Sequence, residues 1–283
     1  MLIKKRTMLL LALLVSIIPI FGGKLYIQKA QAATYVQQNI PTLFFHGWGG
    51  SYHSETQMTT AAKSAGVTDT VVRADVSPKG HVHFVGQLAA NAKNPIIQVN
   101  YQNNRNGNYY EDGRWAKNVI VALQKQYHFQ KMNLVGHSMG NMAIMYYLMA
   151  NTNDPTLPTL NKQVDIAGHF NGILGMNDAP NQMKLAANGQ PIHMDKDYRA
   201  LLKLRKTYPK QVRVLNIYGD KNDGTHSDGD VSNASSQSLR YLIAKRAQSY
   251  TEKKFVGPQA QHSRLHENKA VDKVLIRFLW PQS

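Results

Sequence analysis

The serine at position 138 lies in the pattern Gly136-His-Ser-Met-Gly140, between two apolar runs. Leu134 and Val135 before the pattern suit a buried strand, and the apolar residues after it suit a helix. A sharp strand-to-helix turn exposes the serine hydroxyl at its apex, where the helix N-terminus favours developing negative charge. The spacing therefore predicts that Ser138 is the nucleophile of an acyl-transfer reaction.

Such a serine needs a neutral imidazole to accept its proton and a carboxylate to orient that imidazole, in the chain order serine, acid, histidine. The acid candidates share one loop after a strong apolar run, and they are Asp220, Asp223, Asp228 and Asp230. The histidine candidates, His262 and His266, follow the last predicted strand. His262 comes first, and Leu265 can pack down to fix its loop, which favours His262 and leaves His266 as the runner-up.

An acyl-transfer site also needs two hydrogen-bond donors for the oxyanion. The backbone N–H of Met139, directly after the serine, is one expected donor. The segment His46-Gly-Trp-Gly-Gly50 follows the first core strand, and its glycines allow close approach of the backbone to a substrate. The N–H of Trp48 is the expected second donor, and His46 is expected to hold this loop rather than to catalyse.

These residues need a scaffold that brings distant loops to one edge. Short β-rich runs alternate with helical stretches, which predicts an α/β-hydrolase fold with a mostly parallel sheet and helices on both faces. The predicted strands cover residues 42–45, 70–74, 96–100, 132–135, 164–167, 212–218 and 250–256, with a small hairpin at 82–85. The predicted helices cover residues 58–65, 115–127, 141–151, 198–206, 235–247 and 269–279.

Residues 168–209 interrupt this alternation, because they separate two predicted strands with a stretch rich in glycine, asparagine and proline. Ligands bind beyond the carboxyl ends of the strands in such sheets. We therefore predict that this stretch is a lid or substrate-shaping insertion before the acid-bearing strand. A surface loop of no consequence is the alternative interpretation.

The first 32 residues have the character of a secretory signal peptide, with a basic start, an apolar run and Ala30-Gln-Ala32 as a cleavage signal. The predicted domains are thus this leader, 1–32, and a hydrolase domain, 33–283; an uncleaved anchor is the alternative. The 283 residues include no cysteine, which excludes disulfides and thiolate sites and suits export. We expect a secreted or cell-surface protein.

The chain is strongly basic, with a formal net charge of +16. Without the leader, 28 basic and 17 acidic residues leave +11. This balance predicts loose attraction to an anionic cell wall or membrane surface, or a solvated basic surface without a partner. Nucleic acid is not favoured, because the basic runs at 203–206 and 253–254 lack interleaved aromatic residues.

The aspartate-rich loop also raises the possibility of a structural calcium ion. Its spacing does not match an EF-hand, because Gly224 occupies the place of a fifth-position ligand and no glutamate closes the loop. His81 and His83 flank a hairpin without a third ligand. We therefore predict neither a metal nor a cofactor.

Four segments together resemble a known family, and they are PTLFFHGWGGSYHSE, VGHSMGN, GDKNDGTHSDGDV and QHSRLHENKAVDKVLIRFLW. They look like the uncharacterised α/β-hydrolases of Gram-positive bacteria that are often labelled cell-surface hydrolases. The resemblance implies a triad of Ser138, Asp228 and His262, no cofactor and no defined substrate. It favours Asp228 because relatives often place a valine three residues after the acid, as Val231 is here; Asp220, nearest the strand end, is the runner-up. Where relatives commonly have a hydrophobic residue and a proline around this valine, the chain has Asp230 and Ser232.

The function predicted from these features is that of an exported serine hydrolase acting on small-molecule or lipid carboxylic esters through an acyl-enzyme. Acyl transfer to an alcohol and amide hydrolysis use the same machinery and remain alternatives. A non-catalytic cell-surface binding protein on the same fold is the alternative from a different class.

Overall fold

The computed structural model describes residues 34–282, and the predicted leader lies outside the described residues. Within this range the strands form one eight-stranded sheet in the order β3-β2-β4-β1-β5-β6-β7-β8. The β2 and β3 strands pair antiparallel, and every other neighbouring pair is parallel. The strands are β1 (Thr42–Phe45), β2 (Val71–Val76), β3 (Val82–Val85), β4 (Ile96–Tyr101), β5 (Lys131–His137), β6 (Thr159–Ile166), β7 (Arg213–Asp220) and β8 (Ser249–Val256).

Helices cover both faces of this sheet, and two separate clusters of buried apolar residues fill the space between the layers. The helices are α1 (Thr56–Ser64), α2 (Tyr109–Gln126), α3 (Met139–Asn151), α4 (Lys196–Leu201), α5 (Leu204–Thr207), α6 (Asn233–Gln237) and α7 (Lys269–Leu279). This arrangement confirms the predicted fold. No helix within residues 34–282 combines the length and apolar character needed to cross a bilayer.

Helix α2 begins at Tyr109, earlier than the predicted start at 115, because Asn108 caps it by accepting hydrogen bonds from the Tyr110 and Glu111 amides. Gly113 lies inside this helix, where α2 crosses α3. A Cβ there would lie 2.7 Å from the Tyr147 nitrogen, so only glycine permits this close packing.

The predicted helix over 235–247 is wrong as a single element. Helix α6 ends at Gln237, and a π-helical turn follows over Arg240–Ala244. Ser238 lies at the break: its hydroxyl donates to the Ser235 carbonyl, and its own carbonyl accepts from the Tyr198 hydroxyl. These bonds compete with the regular helical ladder.

Two further boundaries differ from those predicted. The helix expected over 198–206 is divided into α4 and α5. Strand β6 begins at Thr159 rather than 164 and ends at Ile166, because Ala167 has a φ of 52° and turns the chain out of the sheet. The chain between β6 and β7 is otherwise mostly irregular.

Candidate active site

Ser138 stands at a strained turn between β5 and α3, with φ 51° and ψ −118°. The flanking glycines make the turn possible. A Cβ on Gly136 would lie 2.7 Å from the Asn141 nitrogen, and one on Gly140 would collide with the Phe45 carbonyl of β1. Strain of this kind is retained where the surroundings over-determine it, as they do at nucleophile turns.

Asn141 stabilises this turn, and its role was not among the sequence-based predictions. Its fully buried side chain donates to the Ser138 carbonyl at 3.0 Å and to the Ile166 carbonyl at 2.9 Å. The Ser138 amide also donates to Ile166, at 2.9 Å. The available signal was a polar residue directly after the second glycine, at the start of an otherwise apolar helix.

Asp228 and His262 lie together at the carboxyl edge of the sheet, with His262 Nδ1 2.9 Å from Asp228 Oδ2. The other oxygen of Asp228 accepts from the Asp230 and Val231 amides at 3.0 and 2.7 Å. Both side chains are buried. Burial lowers the pKa of His262, but the hydrogen bond and negative charge of Asp228 outweigh it, and the His262 pKa is raised above 6.5.

The runner-up acid, Asp220, has other partners. Its carboxylate lies 2.6 Å from Lys254 Nζ, accepts from Asn233 Nδ2 at 3.0 Å and receives the Asn222 amide at 2.9 Å. The structure therefore brings Asp228, rather than Asp220, to the His262 ring. Asp223 is held by Lys221 at the outer part of the loop.

The runner-up base, His266, lies in the same pocket but packs edge-on against the ring of His137, with centroids 4.6 Å apart. His137 is the variable residue of the G-x-S-x-G pattern, and its Nε2 lies 3.1 Å from the His262 carbonyl. Burial, and then the nearby His262 and His266, hold the pKa of His137 well below 6.5. A neutral His137 thus links the serine turn to the histidine loop, a contact that the sequence did not reveal.

The loop after β1 lies against the serine turn. A Cβ on Gly47 would lie 3.0 Å from the Ser138 Cβ. His46 holds the loop: its Nε2 accepts from the Tyr101 amide at 3.0 Å, so its Nδ1 carries the proton and donates to the Gly47 carbonyl at 2.8 Å.

The two residues that are expected to supply oxyanion donors both line the pocket that contains Ser138. Trp48 and Met139 are among its lining residues. Neither of their backbone N–H groups has a hydrogen-bond partner within residues 34–282. These amides are therefore available to an oxygen atom of a bound molecule.

The pocket above Ser138 has a volume of about 960 Å³. Its apolar lining includes Trp48, Met139, Met142, Phe170, Ile173 and Met176. Residues of the 168–209 segment, including 169–177 and 195–197, form one side of it. The pocket can thus enclose an apolar group next to the serine.

One more polar pair lines the pocket, and the sequence did not predict it. The Tyr109 hydroxyl lies 3.0 Å from His169 Nε2. Burial, and to a smaller extent the charge of His262, lower the pKa of His169 to about 3, so the ring is neutral. Its Nδ1 has no partner in the described part of the chain.

Metal-ligand geometry is absent from residues 34–282, where no three histidine, aspartate or glutamate side chains converge as ligands would. In the aspartate-rich loop, Asp223 accepts from the Thr225 hydroxyl, and Asp228 is engaged with His262. Asp220, Asp223 and Asp228 of this loop are therefore engaged by neighbouring donors.

Comparison with known proteins places this arrangement in context. A family model described as an alpha/beta hydrolase of unknown function, DUF915, matches residues 29–282. A solved structure from Listeria innocua is 27% identical with a TM-score of 0.76, over 86% of this chain and 94% of that one. Another, from Lactobacillus plantarum WCFS1 and described provisionally as a cell surface hydrolase, is 21% identical with a TM-score of 0.67, over 85% and 89%. No curated protein matches the chain.

Proposed function

The chain belongs to the DUF915 family of α/β hydrolases, and from this premise we propose that it is a serine hydrolase that cleaves carboxylic esters. One observation carries the proposal: Ser138 stands at a strained turn, and His262, hydrogen-bonded to Asp228, opens onto the same pocket. Nucleophile, base and orienting acid are thus gathered in the chain order that this chemistry uses.

In the proposed reaction, Ser138 Oγ attacks the ester carbonyl carbon while His262 Nε2 accepts the hydroxyl proton. Asp228 accepts the hydrogen bond from Nδ1 and stabilises the imidazolium. The Trp48 and Met139 amides hold the oxyanion. Collapse of the tetrahedral intermediate releases the alcohol, which takes the proton from His262, and water then hydrolyses the acyl-enzyme by the same steps.

The substrate that suits the pocket is a small-molecule or lipid ester with an apolar acyl or alcohol group. The methionine and aromatic lining supports this choice, because an apolar group gains free energy when it leaves water for such a surface. In this proposal the 168–209 segment acts as the substrate-shaping insertion. A panel of esters of graded acyl length would reveal its preference, and an added alcohol would divert the acyl group if the enzyme is a transferase.

We further propose that the enzyme acts outside the cell after removal of residues 1–32. The leader pattern and the lack of cysteine support export, and the description of the Lactobacillus plantarum relative suits a surface location. Fractionation with mass analysis of the mature N-terminus tests this point. A protein retained in the cytoplasm with residues 1–32 intact would contradict it.

A fluorophosphonate probe tests the catalytic proposal directly, because it labels an activated serine. Wild type is expected to label and Ser138→Ala is not, while Ser263→Ala, which changes another serine at the same pocket, serves as the matched control. Labelling of Ser138→Ala would assign the reactive serine to another position, and no labelling of wild type would support a non-catalytic binding protein.

A further inference from the structure

A second cavity, of about 630 Å³, is surrounded by positive charge. Five cationic side chains line it, and they are Arg205, Lys206, Lys210, Lys245 and Arg246. The lining includes no acidic residue, and within residues 34–282 none of the five forms an ion pair. Like charges gathered around one concavity repel each other, so a bound anion would stabilise them.

Both arginines are held in place before any ligand arrives. Arg205 Nη1 donates to the Tyr241 carbonyl at 2.7 Å, and its guanidinium lies 3.5 Å from the centroid of the Tyr241 ring. Arg246 Nε donates to the Tyr208 carbonyl at 2.7 Å. A guanidinium fixed in this way loses little conformational freedom on binding, and its remaining N–H groups match the oxygens of a phosphate.

The location separates this cavity from the pocket of Ser138. Lys210 lies just before Arg213, where β7 begins, and Arg246 lies just before Ser249, where β8 begins. Ser138 instead follows the carboxyl end of β5. Because these strands are parallel, the cavity lies at their amino ends and Ser138 lies at their carboxyl ends. An anion bound in the cavity therefore leaves the Ser138 pocket open.

The lining favours one class of anion over others. Arg205 covers one face of the Tyr241 ring, which is the only aromatic ring of the lining, so the cavity lacks the row of open aromatic faces on which successive nucleic acid bases stack. Large exposed apolar side chains of the described residues, such as Trp48 and Met176, lie elsewhere, so the cavity has no group to insert into a bilayer. The three lysines are exposed and spaced along two segments, which suits successive charges better than a single ion.

We propose that this cavity binds a linear polymer of phosphate groups and thereby attaches the protein to it. The proposal is independent of the ester chemistry and assigns part of the excess positive charge to one place. The two fixed arginines, Arg205 and Arg246, donate hydrogen bonds to phosphates within the cavity. The surrounding lysines contact neighbouring phosphates along the polymer.

The test compares two variants of equal net charge. One carries Lys206→Gln, Lys210→Gln and Lys245→Gln in the cavity; the control carries Lys63→Gln, Lys79→Gln and Lys273→Gln on other exposed surfaces. Linear inorganic polyphosphate is the probe, titrated at several salt concentrations. We expect wild type and control to bind alike, and the cavity variant to bind at least about tenfold more weakly with a shallower salt dependence.

Three results would overturn the proposal. An equal loss in the control would assign binding to net charge alone. Inorganic phosphate binding as tightly as polyphosphate would indicate a single-ion site. Tighter binding to phosphatidylglycerol vesicles or to single-stranded DNA would indicate a different partner. Because Ser138→Ala is expected to bind polyphosphate like wild type, failure of this proposal and failure of the ester proposal are distinguishable.

Discussion

Two regions at the carboxyl edge of the sheet bury carboxyl groups in opposite ways. In the loop after β7, Asp228 accepts from His262 and Asp220 is paired with Lys254. In the segment after β1, Glu55 is fully buried, and neither carboxyl oxygen has a partner within residues 34–282. Burial raises the pKa of Glu55 to about 8, whereas hydrogen bonds from Lys254 and Asn233 outweigh burial and lower the pKa of Asp220.

The difference shows how one edge of a sheet can separate charged from neutral carboxyl groups. The loop after β7 keeps its negative charge next to the proposed base, where it stabilises an imidazolium. Glu55 follows the proposed oxyanion loop in the chain, and a negative charge close to that loop would oppose the developing oxyanion. Because it has no partner, Glu55 is protonated at neutral pH and adds no such charge.

The largest expected effect comes from removing the charge of Asp228. We predict that Asp228→Asn lowers kcat on a soluble ester by about 10⁴-fold, because the imidazole would adopt the wrong tautomer. Circular dichroism should show an intact fold. Turnover close to wild type would assign the acid role to a residue other than Asp228. The charged carboxylate of Asp228 would then have no catalytic role to contrast with the neutral Glu55.

The pH profile sharpens the same point. His262 must be neutral to accept a proton, so we predict that kcat/KM falls by about tenfold per pH unit below a pKa that lies above 6.5. In Asp228→Asn, burial still lowers the His262 pKa but the carboxylate no longer raises it, so the acid limb of the residual activity should move to lower pH. A wild-type plateau extending well below pH 6.5 would contradict this prediction.

Much of the scaffold could be predicted because its signals are local. The turn at Ser138 requires glycine on both sides, and the reason is direct: Gly140 leaves no room for a side chain against Phe45. Strand β1 is a short, fully buried and mostly apolar run. The family resemblance drawn from the motifs is confirmed by the match over residues 29–282.

The parts that escaped prediction depend on contacts between distant residues. Helix α6 ends where Tyr198, forty residues away in the chain, engages the Ser238 carbonyl. The choice between Asp220 and Asp228 could not be made from the residues alone, because the two partners, Lys254 and His262, come from later segments. The catalytic roles themselves stay predictions until the variants are measured.

A stability measurement isolates the neutral carboxyl. The Glu55 pKa is about 8 in the folded protein and near 4.5 in the unfolded chain, so the folded state holds the extra proton between these values. The free energy of unfolding should therefore fall as pH rises through this window, by up to about 1.4 kcal/mol per pH unit. We predict that Glu55→Gln lacks this pH-dependent contribution. In urea unfolding, the free energy of unfolding of the variant should therefore rise relative to that of wild type from pH 5 to 8. Parallel curves would mean that Glu55 is charged throughout.

The smallest expected effect belongs to the other paired carboxylate. Asp220→Asn keeps the shape of the side chain but weakens its contacts with Lys254 and Asn233. Because the Lys254 side chain is 40% exposed, we predict a loss of only about 1 kcal/mol in the free energy of unfolding. Because Asp220 does not contact His262, kcat/KM should stay within a few-fold of wild type. A double-mutant cycle with Lys254→Gln separates the ion pair from the other hydrogen bonds.

If Asp220→Asn instead abolished turnover while Asp228→Asn did not, the acid would lie at the strand end, and the hydrogen bond between Asp228 and His262 would be structural.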